Sequence, residues 1–239
     1  MTLSERQAKI LQEVCQQYIK RAFPISSQFL KERCNFPCSS ATIRNEFAVL
    51  EKKRYLNHPY ISSGRIPTDK GYRFFVDKIF EEGKFLDFQA RLKKEIFSEL
   101  KNLSDILKIS QKISQTLSKL SSNLALTYFP EEEVLWKEGW EEVIKEPEFQ
   151  DIQYWQEFLV TLNEFEKNIE KLEWEEKKVK VYIGQENPFS KKEISVIITK
   201  TSFPRKKEAM IALLGPKRMD FKRNICLVNS LIKIMDNLI

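Results

Sequence analysis

One stretch of this 239-residue chain, residues 39–71, places the strongest constraint on its fold. Its first half carries apolar side chains at steps of four and three residues, which is the spacing that buries one face of a helix. These side chains are Ile43, Phe47 and Leu50. Ser39 or Ser40 can cap the N-terminus, because a short side-chain oxygen accepts from the free N–H groups of the first turn. The pattern therefore predicts a helix that begins at one of these two serines.

The second half of the stretch, from Tyr55 to Thr68, predicts a β-hairpin. It alternates loosely between apolar and polar residues and turns near the sequence Ser62-Ser63-Gly64. A helix followed by a basic hairpin, or wing, is typical of proteins that place the start of the helix in the major groove of DNA. We therefore expect the DNA contacts to come from eight residues of this stretch: Ser40, Thr42, Arg44, Asn45, His58, Ser63, Arg65 and Lys70.

Further helices are predicted on both sides of this stretch. Ser4 and Gln7 have the spacing of a capping box, and the helix that they open should end near Ala22. Two more helix starts are indicated by Ser26 or Ser27 and by Thr68 or Asp69. Three helices with a tight turn before the third, a hairpin and a closing helix predict a winged helix-turn-helix in residues 1–80.

The charge is distributed unevenly along the chain, which has a net charge of +6. Residues 1–80 hold 14 Lys and Arg against 7 Asp and Glu, a net charge of +7. Residues 131–176 hold 4 against 16, a net charge of −12. The predicted DNA-binding domain is therefore basic, as a polyanionic partner requires. The acidic segment should face away from DNA.

The sequence also predicts a cytoplasmic protein. The N-terminal residues MTLSERQAKI have no apolar signal core, and no apolar run approaches the roughly 20 residues of a membrane span. The four cysteines, at positions 15, 34, 38 and 226, suit a reducing compartment better than a disulfide framework.

Nothing in the sequence indicates an enzyme. His58 is the one histidine, and the six glycines form no phosphate-binding loop. Cys34 and Cys38 have the spacing of metal ligands, but no second pair lies nearby, and zinc needs three or four ligands. We therefore expect no catalytic residue, no metal site and no cofactor.

Residues 81–130 are predicted to form a hinge and a long helical region. The hinge is assigned to residues 81–86, which contain Gly83, and the helical region to residues 87–127, which lack Pro and Gly. Apolar residues form a stripe along this region and include Leu103, Ile106, Ile113, Leu117, Leu120 and Leu124. The stripe can pack within the monomer or form a dimer seam, and the periodicity leaves both readings open.

Residues 131–239 are predicted to combine an acidic helical segment with a small antiparallel sheet. Four tryptophans mark the acidic segment: Trp136, Trp140, Trp155 and Trp174. Its charge is interpreted as a solvated face, and its helix should bury Ile152, Trp155, Phe158, Leu159, Leu162 and Phe165. Alternation predicts three strands, at about residues 179–183, 194–198 and 210–214. Asp220 can cap a final helix, so the chain as a whole should be α+β.

Several motifs carry a resemblance to a known family. ATIRNE and SSGRIPTDKGYRFFVD resemble the heat-inducible transcription repressor family, HrcA, and LSERQAKILQEVCQQYI and PISSQFLKER are similar to its first two helices. VYIGQEN, EPEF and ALLGPKRMDFKRNICLVNSL resemble its C-terminal part, which has a GAF-like α/β domain. Between Phe129 and Glu131 the family has strands and an inserted dimerisation subdomain that this chain lacks. The chain thus resembles a shortened member with a reduced GAF-like domain.

The resemblance implies a specific biological role. A member of this family would bind double-stranded DNA as a homodimer at the CIRCE inverted repeat, upstream of class I heat-shock (chaperone) operons. It would block the promoter and be released by heat, with the chaperonin GroEL as a partner that keeps it active. Two other classes stay open: a ligand-sensing regulator of other genes, and a winged-helix module that binds proteins.

Overall fold

The computed structural model describes residues 3–60, 63–83, 87–100, 106–171, 177–189, 193–203 and 207–237. The chain divides into two compact units, Met1–Gly83 and Lys84–Ile239. Leu103, Trp174 and residues 84–86 of the expected hinge lie outside the described residues. Among the helices that the structure does describe, none is both long and apolar enough to cross a membrane.

The first unit contains four helices and a two-stranded antiparallel hairpin. The elements are α1 (Glu5–Arg21), α2 (Ser27–Arg33), α3 (Ser40–Lys52), β1 (Leu56–Asn57), β2 (Ile66–Pro67) and α4 (Asp69–Glu82). The predicted caps are confirmed: Ser4 and Gln7 form a capping box, and Ser26, Ser39 and Thr68 cap the next three helices. Helix α1 ends at the left-handed Ala22, as its sequence predicts.

The apolar faces of these helices form the core of the first unit. Helix α3 buries the three residues that its periodicity predicts, and Leu50 is fully inaccessible. Helices α1, α2 and α4 contribute the other main core side chains: Ile10, Leu11, Val14, Cys15, Leu30, Tyr72, Val76 and Ile79. Burial of each large apolar side chain contributes about 1.5–3 kcal/mol, so this core fixes which face of α3 is turned to solvent.

The second unit is built on a five-stranded antiparallel sheet. Its elements are α5 (Gln89–Leu100), α6 (Ile106–Ser121), β3 (Leu124–Phe129), β4 (Val134–Glu138), α7 (Trp140–Val143), a short 3-10 helix (Pro147–Gln150), α8 (Ile152–Asn168), β5 (Lys180–Ile183), β6 (Ile194–Phe203), β7 (Lys207–Pro216) and α9 (Phe221–Asp236). The strand order is β4-β3-β7-β6-β5. Helix and sheet together confirm the predicted α+β class.

Helices cover both faces of this sheet. On one face, Leu124, Leu126 and Tyr128 of β3 join a core with Phe158 and Phe165 of α8. On the other face, α6 contacts β3 and β4, and α9 contacts β6. Side chains alternate between the faces along each strand, so each strand serves both cores.

Two predictions for this unit are wrong. The expected helical region up to residue 127 ends at Ser121, and residues 124–129 form a strand. Within the described ranges the sheet has five strands instead of three, because β3 and β4 were not predicted. Every residue of β3 is buried, so the strand lacks the alternation by which a half-exposed strand is recognised.

The apolar stripe of α6 packs within the chain. Ile109, Ile113, Leu117 and Leu120 are buried, and the helix contacts β3 and β4. Of the two readings that periodicity left open, the structure shows packing within the monomer for these side chains.

The prediction for α8 is wrong at two positions. Phe158, Leu162 and Phe165 are buried and Trp155 is half-buried, but Ile152 is 73% exposed and Leu159 is 44% exposed. Tyr154 and Thr161 are buried. The buried face is therefore rotated away from Ile152 and Leu159.

A buried arginine ties the acidic segment to the end of the sheet. Nη2 of Arg218 donates to Glu146 Oε2 at 2.6 Å, and its Nε donates to Glu148 Oε1 at 2.6 Å. Burial alone lowers the pKa of the guanidinium, but hydrogen bonds and charges from Glu148 and Glu146 outweigh it and raise the pKa above its usual value. Part of the acidic segment is therefore structural, not only a solvated face.

We expect Arg218→Met to lower the free energy of unfolding of the second unit by about 2–4 kcal/mol. The substitution strands two carboxylates that are roughly a quarter exposed, so the cost falls somewhat below that of breaking a fully buried pair. Urea denaturation followed by tryptophan fluorescence measures it.

The matched control is Lys167→Met, which removes an exposed ion pair with Glu164 and should change stability by less than about 1 kcal/mol. A further variant adds Glu146→Gln and Glu148→Gln to Arg218→Met and should recover part of the loss. Equal stability of Arg218→Met and the control would contradict a structural role for the cluster.

Candidate nucleic-acid interface

The start of α3 is held by its cap. Ser39 Oγ accepts from the N–H of Thr42 at 3.0 Å and lies 2.8 Å from Thr42 Oγ1. The Thr42 hydroxyl therefore belongs to the cap, and Ser40 is half-buried beside it. The capped end leaves other N–H groups of the first turn and the positive end of the helix dipole available to an anion.

Arg44 and Asn45 are presented to solvent at this end of α3. Their neighbours Ile43 and Phe47 point into the core, and the helix turns Arg44 and Asn45 outward. Within the described residues, neither side chain has a hydrogen bond or ion pair that would hold it against the protein surface. Of the predicted site residues on α3, these two are the ones whose side chains extend into solvent.

Hydrogen bonds within the hairpin hold its turn together. The N–H of Ser63 donates to the carbonyl of Tyr60 at 3.0 Å, and Ser63 Oγ accepts from the N–H of Tyr60 at 3.3 Å. Nε2 of His58 lies 3.0 Å from the carbonyl oxygen of Ser63, to which it can donate. The structure thus gives the polar groups of His58 and Ser63 a role within the hairpin.

Arg65 clamps the hairpin to α3. Its Nη2 lies 2.9 Å from Glu51 Oε2, and its guanidinium lies over the ring of Phe47 at 5.9 Å. The backbone N–H of Arg65 donates to the carbonyl of Ile25 with an N···O distance of 2.8 Å. The N–H of Ile25 donates in return to the carbonyl of Arg65 at 2.9 Å. Only 16% of the Arg65 side chain is exposed. The sequence interpretation expected Arg65 to contact DNA from the wing, and in the structure most of its side chain is buried against α3.

Lys70, in the first turn of α4, contacts the C-terminal end of α3. Its Nζ donates to the carbonyl of Lys53 at 3.0 Å and sits 4.3 Å from the ring centroid of Tyr55. At 1.5 Å per residue, the 13 residues of α3 separate this end from the capped start by roughly 18 Å. Lys70 therefore does not join the cluster around Arg44.

Two exposed aromatic residues were missed by the sequence interpretation. Tyr60 is 65% exposed at the turn of the hairpin, and Phe23 is 74% exposed between α1 and α2. A signal for Tyr60 existed, since it follows Pro59 next to the predicted turn. An aromatic ring at a turn between two short strands cannot be buried by them, so it is free to contact a partner.

Cys34, one of the two candidate metal-ligand cysteines, is not an activated thiol. Burial and, after it, a hydrogen bond to Glu13 raise the pKa of the Cys34 thiol to about 11. The thiolate, which is the form that binds metal, is therefore scarce at neutral pH. In the part of the chain that the structure describes, no group of three or more His, Cys, Asp or Glu side chains is placed to hold a metal ion.

The second unit has an open groove beside α8. Its lining contains three carboxylates and is formed by Pro147, Glu148, Gln150, Asp151, Tyr154 and Glu193. Such a lining repels the phosphates of a nucleic acid. This groove is therefore unsuited to a polyanion.

Comparison with known proteins identifies the family. Residues 73–225, more than half of the chain, match the family model described as HrcA protein C terminal domain. That description defines the class of protein, namely one with an HrcA-type C-terminal domain. The chain belongs to the HrcA family.

Curated relatives agree with this assignment. Heat-inducible transcription repressor HrcA of Acetivibrio thermocellus is 37% identical over 132 residues, which cover 55% of this chain and 37% of the relative. The proteins of the same name from Alkaliphilus metalliredigens and Natranaerobius thermophilus are 39% and 40% identical over 132 and 131 residues. These matches span 38% of each relative, so this chain corresponds to well under two thirds of their length.

A solved structure shares the fold. A crystal structure described as a hypothetical protein at 2.2 Å resolution superposes with a TM-score of 0.78 and 19% sequence identity. The superposition covers 99% of this chain and 98% of the other. At this identity the likeness shows the fold alone.

We expect Arg65→Met to loosen the hairpin while leaving the helices of the first unit folded. The variant loses a charge-assisted hydrogen bond and leaves Glu51 partly buried, at a cost of about 1–2 kcal/mol. Hydrogen exchange of the amides of residues 25 and 65, which pair with each other, measures the local opening.

Lys70→Met is the matched control. It also removes a cation, but Lys70 donates to a backbone carbonyl and, in the described ranges, forms no ion pair between the hairpin and α3. Unchanged exchange at residues 25 and 65 in Arg65→Met would show that the ion pair does not hold the hairpin.

Proposed function

We propose that this protein is a sequence-specific, DNA-binding transcriptional repressor and that its first unit is a winged helix-turn-helix. In this proposal α2 and α3 form the helix-turn-helix, α3 is the recognition helix, and the β1–β2 hairpin is the wing. One observation carries this proposal: Arg44 and Asn45 are exposed beside the capped start of α3, in a unit that is basic. Among the described residues, neither side chain has a partner within the protein. Winged helices also bind proteins, but the positive charge of this unit favours DNA.

The residues of the site take different roles in this proposal. Arg44 and Asn45 read base edges, because Arg donates two hydrogen bonds to guanine and Asn pairs with adenine in the major groove. Ser40 and Thr42 set the position of the helix start against a phosphate. His58, Ser63 and Arg65 shape the wing, and its exposed contact is Tyr60.

The proposed targets are heat-shock operons. The matched relatives are named heat-inducible transcription repressors, and this chain belongs to their family. The family resemblance supports four further parts of the proposal: the protein binds the CIRCE inverted repeat, forms a homodimer, is located in the cytoplasm and has GroEL as a partner. An inverted repeat suits a twofold dimer, because each winged helix engages one half-site.

We propose further that the second unit is a reduced GAF-like domain with a regulatory role and no catalytic one. Its sheet and flanking helices form one compact unit from Lys84 onward. The acidic groove beside α8 has no pair of buried, convergent polar groups typical of a small-molecule site. A structural and regulatory role is therefore favoured over ligand sensing.

Selection of genomic DNA fragments by the purified protein tests the proposal as a whole. Enrichment of one inverted repeat, with an affinity that falls steeply as salt rises, is expected for a repressor that neutralises several phosphates. Binding with little sequence preference or weak dependence on salt would overturn the DNA-reading role and favour a protein-binding module.

We expect Arg44→Ala and Asn45→Ala each to weaken binding to the selected operator by about 1–3 kcal/mol. Binding to scrambled DNA should change little, because the lost contacts are to bases. Fluorescence anisotropy with the two labelled duplexes measures the discrimination.

Lys52→Ala is the matched control, since Lys52 is an exposed cation in the last turn of the same helix. It should leave the ratio of operator to scrambled affinity unchanged. If Arg44→Ala and Asn45→Ala kept that ratio as well, α3 would not be the base-reading element.

We propose that release of DNA on heating begins with unfolding of the second unit. Six of its buried side-chain atoms lack a hydrogen-bond partner among the described residues, and each such atom costs free energy: Ser110 Oγ, Asn123 Oδ1, Glu132 Oε2, Asn187 Nδ2, Thr201 Oγ1 and Asn224 Nδ2. Stability is a small difference between large terms, so these costs lower the margin of the unit. On heating, it should lose structure before the first unit does.

Tryptophan fluorescence and operator binding on one heating ramp test this order. All four tryptophans lie between residues 136 and 174, so their signal reports only the second unit. We expect the operator to be released within the tryptophan transition. Release well below that transition, or binding that persists well above it, would place the thermal switch elsewhere.

A further inference from the structure

An apolar surface of the second unit is left uncovered. Three large aliphatic side chains are exposed on it: Ile144 by 48%, Ile152 by 73% and Leu159 by 44%. Together with the half-buried Trp140 and Trp155 they define what we call the α7–α8 face. An amphipathic helix usually turns polar residues to solvent at such positions, so this face needs an explanation of its own.

The five side chains form one continuous surface. Trp140 and Ile144 are four residues apart at α7, and Ile152, Trp155 and Leu159 follow at steps of three and four along α8. The rings of Trp140 and Trp155 join the two helices, since they stack with centroids 6.4 Å apart and an interplanar angle of 16°. Contiguous apolar patches of this kind mark interaction sites on soluble proteins.

The face has a rigid base. Phe149 contacts the ring of Trp155 with centroids 4.8 Å apart, and Phe158 contacts Trp140 at 6.3 Å. Helix α7 starts after Gly139, whose φ of 108° suits glycine and whose added Cβ would lie 2.4 Å from the Cβ of Ser118. A surface fixed in this way loses little side-chain entropy when it binds a partner.

The charge around the face selects the partner. Residues 131–171, which contain α7 and α8, hold 13 Asp and Glu against 4 Lys, a net charge of −9, and Arg218 and Lys207 from outside the segment pair with three of these carboxylates. Glu141 and Asp151 are exposed next to the apolar side chains. A second copy related by a twofold axis would bring two such acidic segments together, which opposes self-association through this face. A basic partner gains from the same charge.

We infer that the α7–α8 face is a docking site for a basic amphipathic helix of a partner protein. Apolar residues of that helix would cover Ile152, Trp155 and Leu159, and its Lys and Arg side chains would face Glu141 and Asp151. Ile152 and Leu159 lie two turns apart, or roughly 10 Å, so a helix of three to four turns covers the face. The inference concerns a surface of the second unit and does not depend on DNA binding.

The test uses the full chain and two synthetic peptides. The probe is a labelled amphipathic helix of about 18 residues made of Leu and Lys, and its control has Glu in place of each Lys. Fluorescence anisotropy should show saturable binding of the Leu/Lys peptide, weakened by salt, and at least about tenfold weaker binding of the Leu/Glu peptide.

Two variants locate the binding surface. Ile152→Ser combined with Leu159→Ser should weaken binding of the Leu/Lys peptide by about tenfold or more, because both exposed anchors are lost. Leu107→Ser is the matched control, since Leu107 is 54% exposed on α6 of the same unit and lies outside the face. Both variants alter exposed side chains, and an unchanged tryptophan melting curve verifies their fold.

Several results would overturn the inference. Equal binding by wild type and the double variant, equal affinity for the two peptides, or absence of binding to the Leu/Lys peptide would each do so. Sedimentation showing that wild type self-associates and the double variant does not would assign the face to a second copy. Binding to phosphatidylcholine vesicles that the double variant loses would assign it to a lipid surface.

Discussion

The pairing of β7 with its two neighbours is the constraint on which the second unit depends. Strand β7 pairs with β3 along one edge and with β6 over ten residues along the other. Its residues from Ala209 to Pro216 are all buried, so both helical layers pack on side chains that this register sets. A slip of one residue would exchange the two faces and remove the cores under α8 and α9 together.

The features that can be predicted from the sequence are those set by local interactions. The caps at Ser39, Thr68 and Asp220 need only a short polar side chain within three residues of its partner, so they can be predicted from sequence. The fully buried strand β3 was missed because its pattern does not alternate. Arg65 was assigned to DNA from its place in the predicted wing. Its ion pair with Glu51, 14 positions away, could not be predicted, because only the folded hairpin brings the two together.

The two units differ in which side chains are left without a partner inside the protein. In the first unit, most predicted site residues serve the scaffold, and this leaves a small outward set at Arg44 and Asn45 whose position the scaffold fixes. In the second unit, carboxylates around Arg218 bind the acidic segment to the sheet, while Ile152 and Leu159 remain uncovered. An exposed side chain without a partner, on a surface whose other side chains are packed or paired, is therefore a better candidate for contact with another molecule than a paired one.

The turn between β3 and β4 is a position where the chain can change in length without disturbing the sheet. Phe129 pairs with Val134 across Pro130–Glu133, where the N–H of Glu133 donates to the carbonyl of Pro130, and β4 is an edge strand. The resemblance places the family's inserted subdomain here. Since the cost of closing a loop grows only slowly with its length, an insertion at an edge hairpin leaves the strand register intact. Whole modules can thus be gained or lost at this point by evolution, or grafted there by design, without rebuilding the domain that carries them.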